Sequence, residues 1–187
     1  MRKSLMTALV AFVALAAVAA SAAAQERKDL QVFNDISREV RRYVYFTVFD
    51  DVNASVTDGA VVLTGKVTMP FKRDEIEKRV ARVDGVTSVV NRLDVLPVST
   101  FDDALRYQIA RAIYGNPSFW HYAAMVNPPI HIVVEHGRVR LTGVVQSHVE
   151  RVLARSLATS FNAFSVSNDL KTEAEVRAEL EKVGSVD

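Results

Sequence analysis

The 187-residue sequence has no cysteine, one tryptophan, five prolines and seven glycines. Without cysteine the chain can form no disulfide, and no lipid can be attached to a cysteine thiol. The few glycines are expected mostly at turns, and the sequence contains no glycine-rich phosphate loop, HExxH motif or nucleophile elbow. We therefore expect a protein with no catalytic residues and no cofactor.

The charges are nearly balanced, with 23 basic and 22 acidic residues. Residues 1–24 contain two of the basic residues and no acidic one, so a chain without them keeps 21 basic and 22 acidic residues and has a net charge of −1. A chain this close to neutrality has no overall positive field to attract nucleic acid. Any attraction to an anionic partner must come from a local basic patch.

The N-terminal region has the pattern of a secretory signal peptide. Its parts are two basic residues, an apolar run and a small-x-small cleavage motif: Arg2 and Lys3, residues 5–20, and Ala22 and Ala24. We predict cleavage after Ala24 and a periplasmic protein without a lipid anchor. The alternative is a retained membrane anchor, which is disfavoured because a membrane-spanning helix needs about 20 apolar residues.

One segment of the sequence occurs twice. Residues 59–67, GAVVLTGKV, recur as residues 137–145, GRVRLTGVV, at an offset of 78. Further on, residues 89–93, VVNRL, correspond to residues 166–170, VSNDL, at an offset of 77. Matches that extend over several elements indicate two tandem copies of one structural unit.

The hydrophobic periodicity within each copy predicts the order α-β-β-α-β. Asp58-Gly59 and His136-Gly137 are expected at the tight turns of the two hairpins. The predicted fold class is α+β, with two tandem α-β-β-α-β units, each a small three-stranded sheet with two helices on one face. The predicted boundaries are residues 28–96 for the first domain, 101–171 for the second, and 172–187 for a charged tail that adds a short helix.

Local signals predict where the helices of the second copy begin. Thr100 is expected to cap its first helix, and Ser147 and Glu150 have capping-box spacing at the start of its second. The buried stripe of that second helix is expected to consist of three residues: Val149, Leu153 and Leu157. Arg151 and Arg155 then lie on the opposite, solvent-facing side.

The two copies resemble the BON domain family, whose pattern is a hairpin reading G-x-V-x-L-x-G-x-V, a helix, and then G-V-x-x-V-x-N-x-L. The matching residues of the first copy are Gly59, Val61, Leu63, Gly65, Val67, Gly85, Val86, Val89, Asn91 and Leu93. Those of the second copy are Gly137, Val139, Leu141, Gly143, Val145, Val166, Asn168 and Leu170. The second copy departs from the pattern at Asn162 and Ala163, where the family usually has Gly-Val.

The resemblance covers nearly all of the chain after the signal peptide, and it implies the fold more firmly than the function. Double-BON proteins of the bacterial envelope are generally thought to bind phospholipid membranes, to answer osmotic stress or to assist the folding of envelope proteins. The family has no defined catalytic residues to carry over to this chain. The resemblance therefore implies a non-catalytic binding protein of the envelope.

The second copy has extra residues between its first helix and its hairpin, and these include the only tryptophan of the chain. The candidate binding residues in this segment are Phe119, Trp120 and Tyr122. Aromatic side chains with a polar edge are suited to a membrane interface or a protein-binding surface. The alternative is a lid on the second domain or a wedge between the domains, with Trp120 buried.

Four arginines of the second copy form a mildly basic candidate surface: Arg138, Arg140, Arg151 and Arg155. Each basic residue near an anionic membrane contributes about 1 kcal/mol, so binding through this surface is expected to be reversible and sensitive to salt. The alternative is an ordinary solvated surface.

Two kinds of partner remain as hypotheses. The first is an anionic phospholipid membrane, bound peripherally through the second domain. The second is an envelope protein, which this chain binds as a chaperone or scaffold through exposed apolar residues of the loop. No metal site is expected from the four histidines, because their spacing does not bring three ligands together: His121, His131, His136 and His148.

Overall fold

The computed structural model describes residues 28–184, and the predicted signal peptide, residues 1–24, lies outside the described residues. In the first domain the elements are α1 (residues 28–42), β1 (Asp51–Thr57), β2 (Ala60–Val67), α2 (Pro70–Val80) and β3 (Ser88–Val95). In the second domain they are α3 (Thr100–Tyr114), a 3₁₀ turn (Pro117–Phe119), α4 (Trp120–Ala123), β4 (Ile130–Glu135), β5 (Arg138–Val145), α5 (His148–Ala158), β6 (Ser165–Asn168), β7 (Lys171–Thr172) and α6 (Glu173–Gly184).

Each domain has one sheet, and both sheets are built around the repeated hairpin. The first sheet has the order β1-β2-β3, with β1 antiparallel and β3 parallel to β2. The second has the order β4-β5-β6 with the same directions, and the short strand β7 pairs with β5 at Val144 and Val145. The predicted α+β class with two tandem units is confirmed.

The helices of each unit bury their apolar sides against their own sheet. In the first domain, Ile36 of α1 and Ile76 of α2 belong to one buried cluster with Leu63 of β2. In the second domain, Ile109 of α3 belongs to a separate cluster with Leu141 of β5. Each unit therefore has its own hydrophobic core, which is the main source of its stability.

The two hairpin turns have the backbone conformation that their sequences predict. The φ angles are 51° at Asp58 and 75° at Gly59, and 51° at His136 and 72° at Gly137. A two-residue hairpin turn of type I′ needs a positive φ at both central residues. Glycine adopts this conformation without steric cost, which explains its place in both turns.

A carboxylate from the first helix of each domain holds the hairpin turn. Asp29 of α1 accepts hydrogen bonds from the backbone N–H groups of residues 58 and 59, with N–O distances of 2.8 and 3.1 Å. Asp102 of α3 accepts the equivalent bonds from residues 136 and 137, at 2.9 and 2.7 Å. The same contact occurs at the same place in both copies, as expected for a duplicated unit.

An asparagine in the last strand of each unit ties that strand to the second helix. Asn91 donates from Nδ2 to the carbonyl oxygen of Arg73 at 3.1 Å, and Asn168 donates to that of Arg151 at 2.9 Å. Each asparagine also accepts a hydrogen bond from the backbone N–H two residues later. These bonds give a physical reason for the asparagine of the repeated N-x-L pattern.

The predicted start of α3 is wrong by one residue. Ser99, rather than Thr100, is the N-cap, and its Oγ accepts a hydrogen bond from the N–H of Asp102 at 3.2 Å. Thr100 is already within the helix. In α5, by contrast, Ser147 caps as predicted and accepts from the N–H of Glu150 at 3.2 Å.

The buried side of α5 also differs from the prediction. Val149 is exposed, Leu153 and Leu157 are half-buried at the margin of the core, and the fully buried residues are Ala154 and Ala158. Two alanines allow the helix backbone to lie close to the tightly packed interior, where larger side chains do not fit. The buried side is therefore rotated from the one that side-chain size alone suggests.

Candidate functional site

The connection between the first helix and the hairpin is where the two domains differ most. It has eight residues in the first domain, 43–50, and 15 in the second, 115–129. The longer connection forms the 3₁₀ turn and α4. His121 of α4 approaches Glu150 of α5, with 3.9 Å between Nε2 and Oε1. The extra residues thus place a short helix beside the first turn of α5.

Two of the three aromatic candidates in this connection belong to the core. Phe119 is fully buried, and Tyr122 is buried with its hydroxyl donating to Oε2 of Glu150 at 2.9 Å and accepting from the N–H of Gln146 at 2.8 Å. Burial, together with the bond to Glu150, raises the pKa of Tyr122 to about 12. Phe119 and Tyr122 therefore cover the end of the core, and neither is available as a surface contact.

Trp120 is the aromatic candidate that lies on the surface, with 74% of its area exposed. On α5, Val149 and Val152 are exposed at 74% and 54%, and Arg155 is exposed as well. Positions 149, 152 and 155 follow one another along one side of a helix. We call these four residues, Trp120, Val149, Val152 and Arg155, the apolar strip.

Arg151 is not the free cation that the sequence predicts. Its Nη1 lies 2.9 Å from both carboxylate oxygens of Glu175 in α6, and its Nη2 lies 2.7 Å from Nδ1 of His148. The backbone N–H of Thr172, and then Arg151, lower the pKa of Glu175 below its usual value. The C-terminal helix therefore neutralises this arginine.

The other three arginines also divide into paired and free side chains. Arg140 lies 3.2 Å from Oδ2 of Asp51 in the first domain. Arg138 and Arg155 are exposed, and neither forms an ion pair with any residue from 28 to 184. The mildly basic surface is thus reduced to two free arginines, of which one, Arg155, belongs to the apolar strip.

The two domains contact each other directly. Nζ of Lys66 lies 2.9 and 2.8 Å from the two carboxylate oxygens of Glu135, and the N–H of Ile132 donates to the carbonyl oxygen of Val48 at 2.7 Å. The ring of His131 packs against that of Phe46, with 5.3 Å between ring centroids. The interface between the domains therefore includes an ion pair, a backbone hydrogen bond and a ring contact.

His131 is a largely buried titratable group of this interface. Burial lowers its pKa below the ordinary value of 6.5, and the nearby carboxylates of Asp51 and Asp50 act in the opposite direction. Its buried Nδ1 has no hydrogen-bond partner among the described residues. The imidazole is therefore held in its neutral form between the two domains.

Sequence reasoning missed the most deeply buried ion pair, which lies in the first domain. Nζ of Lys72 is 2.7 Å from Oδ2 of Asp50, and the side chains are 6% and 0% exposed. Asp50 also accepts from the N–H and Oγ1 of Thr68, at 2.8 and 2.9 Å. The partners are 22 residues apart in the sequence and belong to no repeated pattern, so no local signal pairs them.

Neither a metal site nor a membrane span is present in residues 28–184. No group of three or more histidine, aspartate or glutamate side chains in this range is placed to hold a metal ion. None of the helices in the same range is both long and apolar enough to cross a membrane.

Two tandem units with this hairpin, helix and strand order define a small duplicated α+β fold. The BON domain family model matches residues 33–97 and 102–174. The chain therefore belongs to the BON domain family and carries two copies of the domain. Proteins of this family are generally non-catalytic, and the match indicates no enzyme family.

Solved structures similar to this chain include two of CdsD, a structural protein of the type III secretion system of Chlamydia trachomatis. The C-terminal domain of CdsD is 19% identical, with 80% of this chain and 68% of that chain covered and a TM-score of 0.33. A second CdsD structure is 13% identical, with coverages of 79% and 97% and a TM-score of 0.27. No curated protein matches the chain.

Proposed function

We propose that this chain is an exported, non-catalytic double-BON protein of the bacterial envelope that binds anionic phospholipid peripherally through the apolar strip of its second domain. The observation that carries the proposal is the exposure of Trp120 on α4, the short helix that contacts the first turn of α5, together with the exposure of Val149 and Val152 on α5. Large apolar side chains at a surface mark an interaction site when they lie together.

The composition of the strip supports a membrane interface. Tryptophan has an apolar ring and a polar N–H, and it is enriched where lipid headgroups meet hydrocarbon. Arg155 adds one cation, which contributes about 1 kcal/mol at an anionic surface. One free arginine and three apolar side chains give weak, reversible binding, which fits a protein that moves between the periplasm and the membrane surface.

Co-sedimentation with vesicles tests the proposal. The mature chain is mixed with vesicles of phosphatidylcholine alone or with added phosphatidylglycerol, at low and at moderate salt. We expect binding to the anionic vesicles, weakened by salt, and lost in Trp120→Ser because the ring no longer enters the interface. No binding to any vesicle, or full binding by Trp120→Ser, would refute the proposal.

A matched pair of charge reversals localises the contact. Arg155→Glu is expected to reduce anionic-vesicle binding severalfold, because it places a carboxylate within the strip. Arg92→Glu changes an exposed arginine on β3 of the first domain and is expected to leave binding unchanged. Equal effects of the two variants would show a diffuse electrostatic attraction without a defined surface.

Export is the second part of the proposal, and it is supported by the signal-peptide pattern of residues 1–24. We expect the chain recovered from an osmotic-shock fraction of an expressing bacterium to begin at Gln25. N-terminal sequencing makes the measurement, and a chain that stays in the cytoplasm with Met1 retained contradicts it.

A further inference from the structure

A large groove lies between the two domains, away from the apolar strip. Its volume is about 710 Å³, and neighbouring cavities that share the side chains of Phe46 and His131 extend it. A volume of this size is within the range of small-ligand and peptide sites, roughly 300–1,000 Å³. None of the four residues of the apolar strip lines the groove or its extensions.

The groove follows the free edge of strand β1. Val52, Asn53 and Ala54 line the groove and its extension, although successive side chains of a strand point to opposite faces of the sheet. A cavity that touches both faces of one strand must run along its edge. In the part of the chain that the structure describes, β1 pairs with β2 alone, so its other edge has no strand partner.

The walls of the groove are apolar and their charges balance. The apolar lining residues come from both domains and from α6: Phe33, Phe46, Val52, Pro128, Pro129, Val144 and Val176. Three cations, Arg41, Arg140 and Lys171, are matched by three carboxylates, Asp51, Asp169 and Glu179. Two of these cations are already paired, Arg140 with Asp51 and Lys171 with Glu179. A groove without excess positive charge does not select an anionic headgroup.

The polar groups of the groove are of the kind that binds a peptide backbone. The Nδ2 atoms of Asn53 and Asn127 already donate to Asp51 and to the carbonyl oxygen of Arg41, at 3.3 and 2.8 Å, so their Oδ1 atoms remain as acceptors at the groove. An extended peptide supplies alternating N–H and C=O groups, which these side chains and the free strand edge can both satisfy.

We propose that this interdomain groove binds an extended, predominantly apolar peptide segment, which adds as a strand to the free edge of β1. The backbone of the peptide pairs with β1, and its alternate side chains contact Phe33 and Phe46. This binding is independent of the membrane proposal, since it uses a different surface and needs no basic residue.

A pair of labelled peptides tests the backbone pairing. The probe is fluorescein-labelled Lys-(Val-Thr)₄-Lys, and its control has the same side chains with every second amide nitrogen methylated. Fluorescence anisotropy with the mature chain is expected to show binding of the probe and binding about tenfold or more weaker for the methylated control, because methylation removes the donors of strand addition. Equal binding of the two peptides, or no binding of the probe, overturns the proposal.

Two serine-to-tryptophan variants test the location. Ser37 of α1 lines the extended groove, so Ser37→Trp is expected to fill it and to weaken probe binding about tenfold or more. Ser156 is an exposed serine of α5, and Ser156→Trp is the matched control, expected to bind as the unchanged chain does. Full binding by Ser37→Trp overturns the proposal.

Amide chemical shifts test the location without any variant, so the result does not depend on whether a variant folds. In the unchanged chain, the probe is expected to shift the backbone N–H signals of residues 51–54 and to leave those of α5 unchanged. Shifts confined to α5, or displacement of the probe by phosphatidylglycerol vesicles, would place the peptide on the apolar strip and overturn the proposal.

Discussion

The hairpin ends of the two BON domains are held by the same contacts, whereas the opposite ends are held by different ones. At the turn, Asp29 and Asp102 each accept two backbone hydrogen bonds. At the other end, the backbone N–H of the residue after the second hairpin strand donates to a carboxylate. In the first domain this is the N–H of Thr68 and the carboxylate of Asp50, and in the second it is the N–H of Gln146 and the carboxylate of Glu150. One carboxylate precedes the hairpin, and the other comes from the second helix itself.

This difference shows how a duplicated unit can gain a new surface. Both units satisfy the N–H after the hairpin with a carboxylate, because a partly buried donor without a partner is costly. In the second domain Glu150 and Tyr122 do so, and the bond from Tyr122 anchors α4 to the domain. The same short helix exposes Trp120. The end where the copies diverge is therefore where we place the binding function.

The largest expected effect comes from removing the carboxylate of the first domain. Asp50→Ala leaves the Lys72 ammonium buried and unpaired, and it is expected to lower the free energy of unfolding by about 3–5 kcal/mol. Glu150→Ala removes hydrogen bonds but no buried cation, and is expected to cost about 1–3 kcal/mol. Urea denaturation followed by far-UV circular dichroism makes the comparison.

A double variant separates the cost of the unpaired buried ammonium from the cost of the lost hydrogen bonds. Asp50→Ala combined with Lys72→Met should recover part of the lost stability, because no charge is then left buried. Equal costs for Asp50→Ala and Glu150→Ala would contradict the account of two different networks.

The two turn carboxylates give the second comparison. Asp102 is 1% exposed and Asp29 is half-buried, so Asp102→Ala leaves two more deeply buried N–H groups unpaired. We expect a cost of about 2–3 kcal/mol for Asp102→Ala and about 1 kcal/mol for Asp29→Ala, measured by the same denaturation. A cost at Asp29 equal to or larger than that at Asp102 would contradict the prediction, because burial would then not decide the cost of losing these hydrogen bonds.

The interface predicts a dependence of stability on pH. Because the pKa of His131 is lowered in the folded chain, the unfolded chain takes up the proton first as the pH falls below about 6.5. Stability from the neutral imidazole is thus present above this value and is lost towards lower pH. His131→Gln should reduce this dependence, whereas His148→Gln, on an exposed histidine, should retain it. An unchanged pH profile in His131→Gln would contradict the assignment.

The smallest expected effect concerns the cation that α6 neutralises. Glu175→Gln releases Arg151 close to Arg155, and a freed arginine adds about 1 kcal/mol at an anionic membrane. Co-sedimentation should show severalfold tighter binding to phosphatidylglycerol vesicles, with a steeper loss in salt. Weaker binding would indicate that α6 itself belongs to the membrane contact.

The fold could be predicted from the sequence because its signals are local and occur twice. Asp58-Gly59 and His136-Gly137 specify a turn by backbone sterics alone, and the flanking alternation specifies the strands. The side of α5 that is buried could not be predicted in the same way. Both a Val149–Leu153–Leu157 side and an Ala154–Ala158 side have helical spacing, and the distance between helix and sheet decides between them.

The site could be predicted only in part. The sequence places the extra residues between the first helix and the hairpin of the second copy, but the helical turn over residues 117–123 decides which of their aromatic side chains are buried. Phe119 and Tyr122, three apart, share the inward side, and Trp120 points outward. The pairing of Arg151 with Glu175 joins residues 24 apart through the position of α6, which no local pattern contains.

The emission of Trp120 tests most directly whether the divergent end of the second domain meets the membrane. It is the only tryptophan, so the mature chain needs no label. With vesicles containing phosphatidylglycerol at low salt, we predict a shift of the emission to shorter wavelength that added salt reverses, and no shift with phosphatidylcholine alone. An emission maximum that stays unchanged on anionic vesicles at low salt would contradict the account.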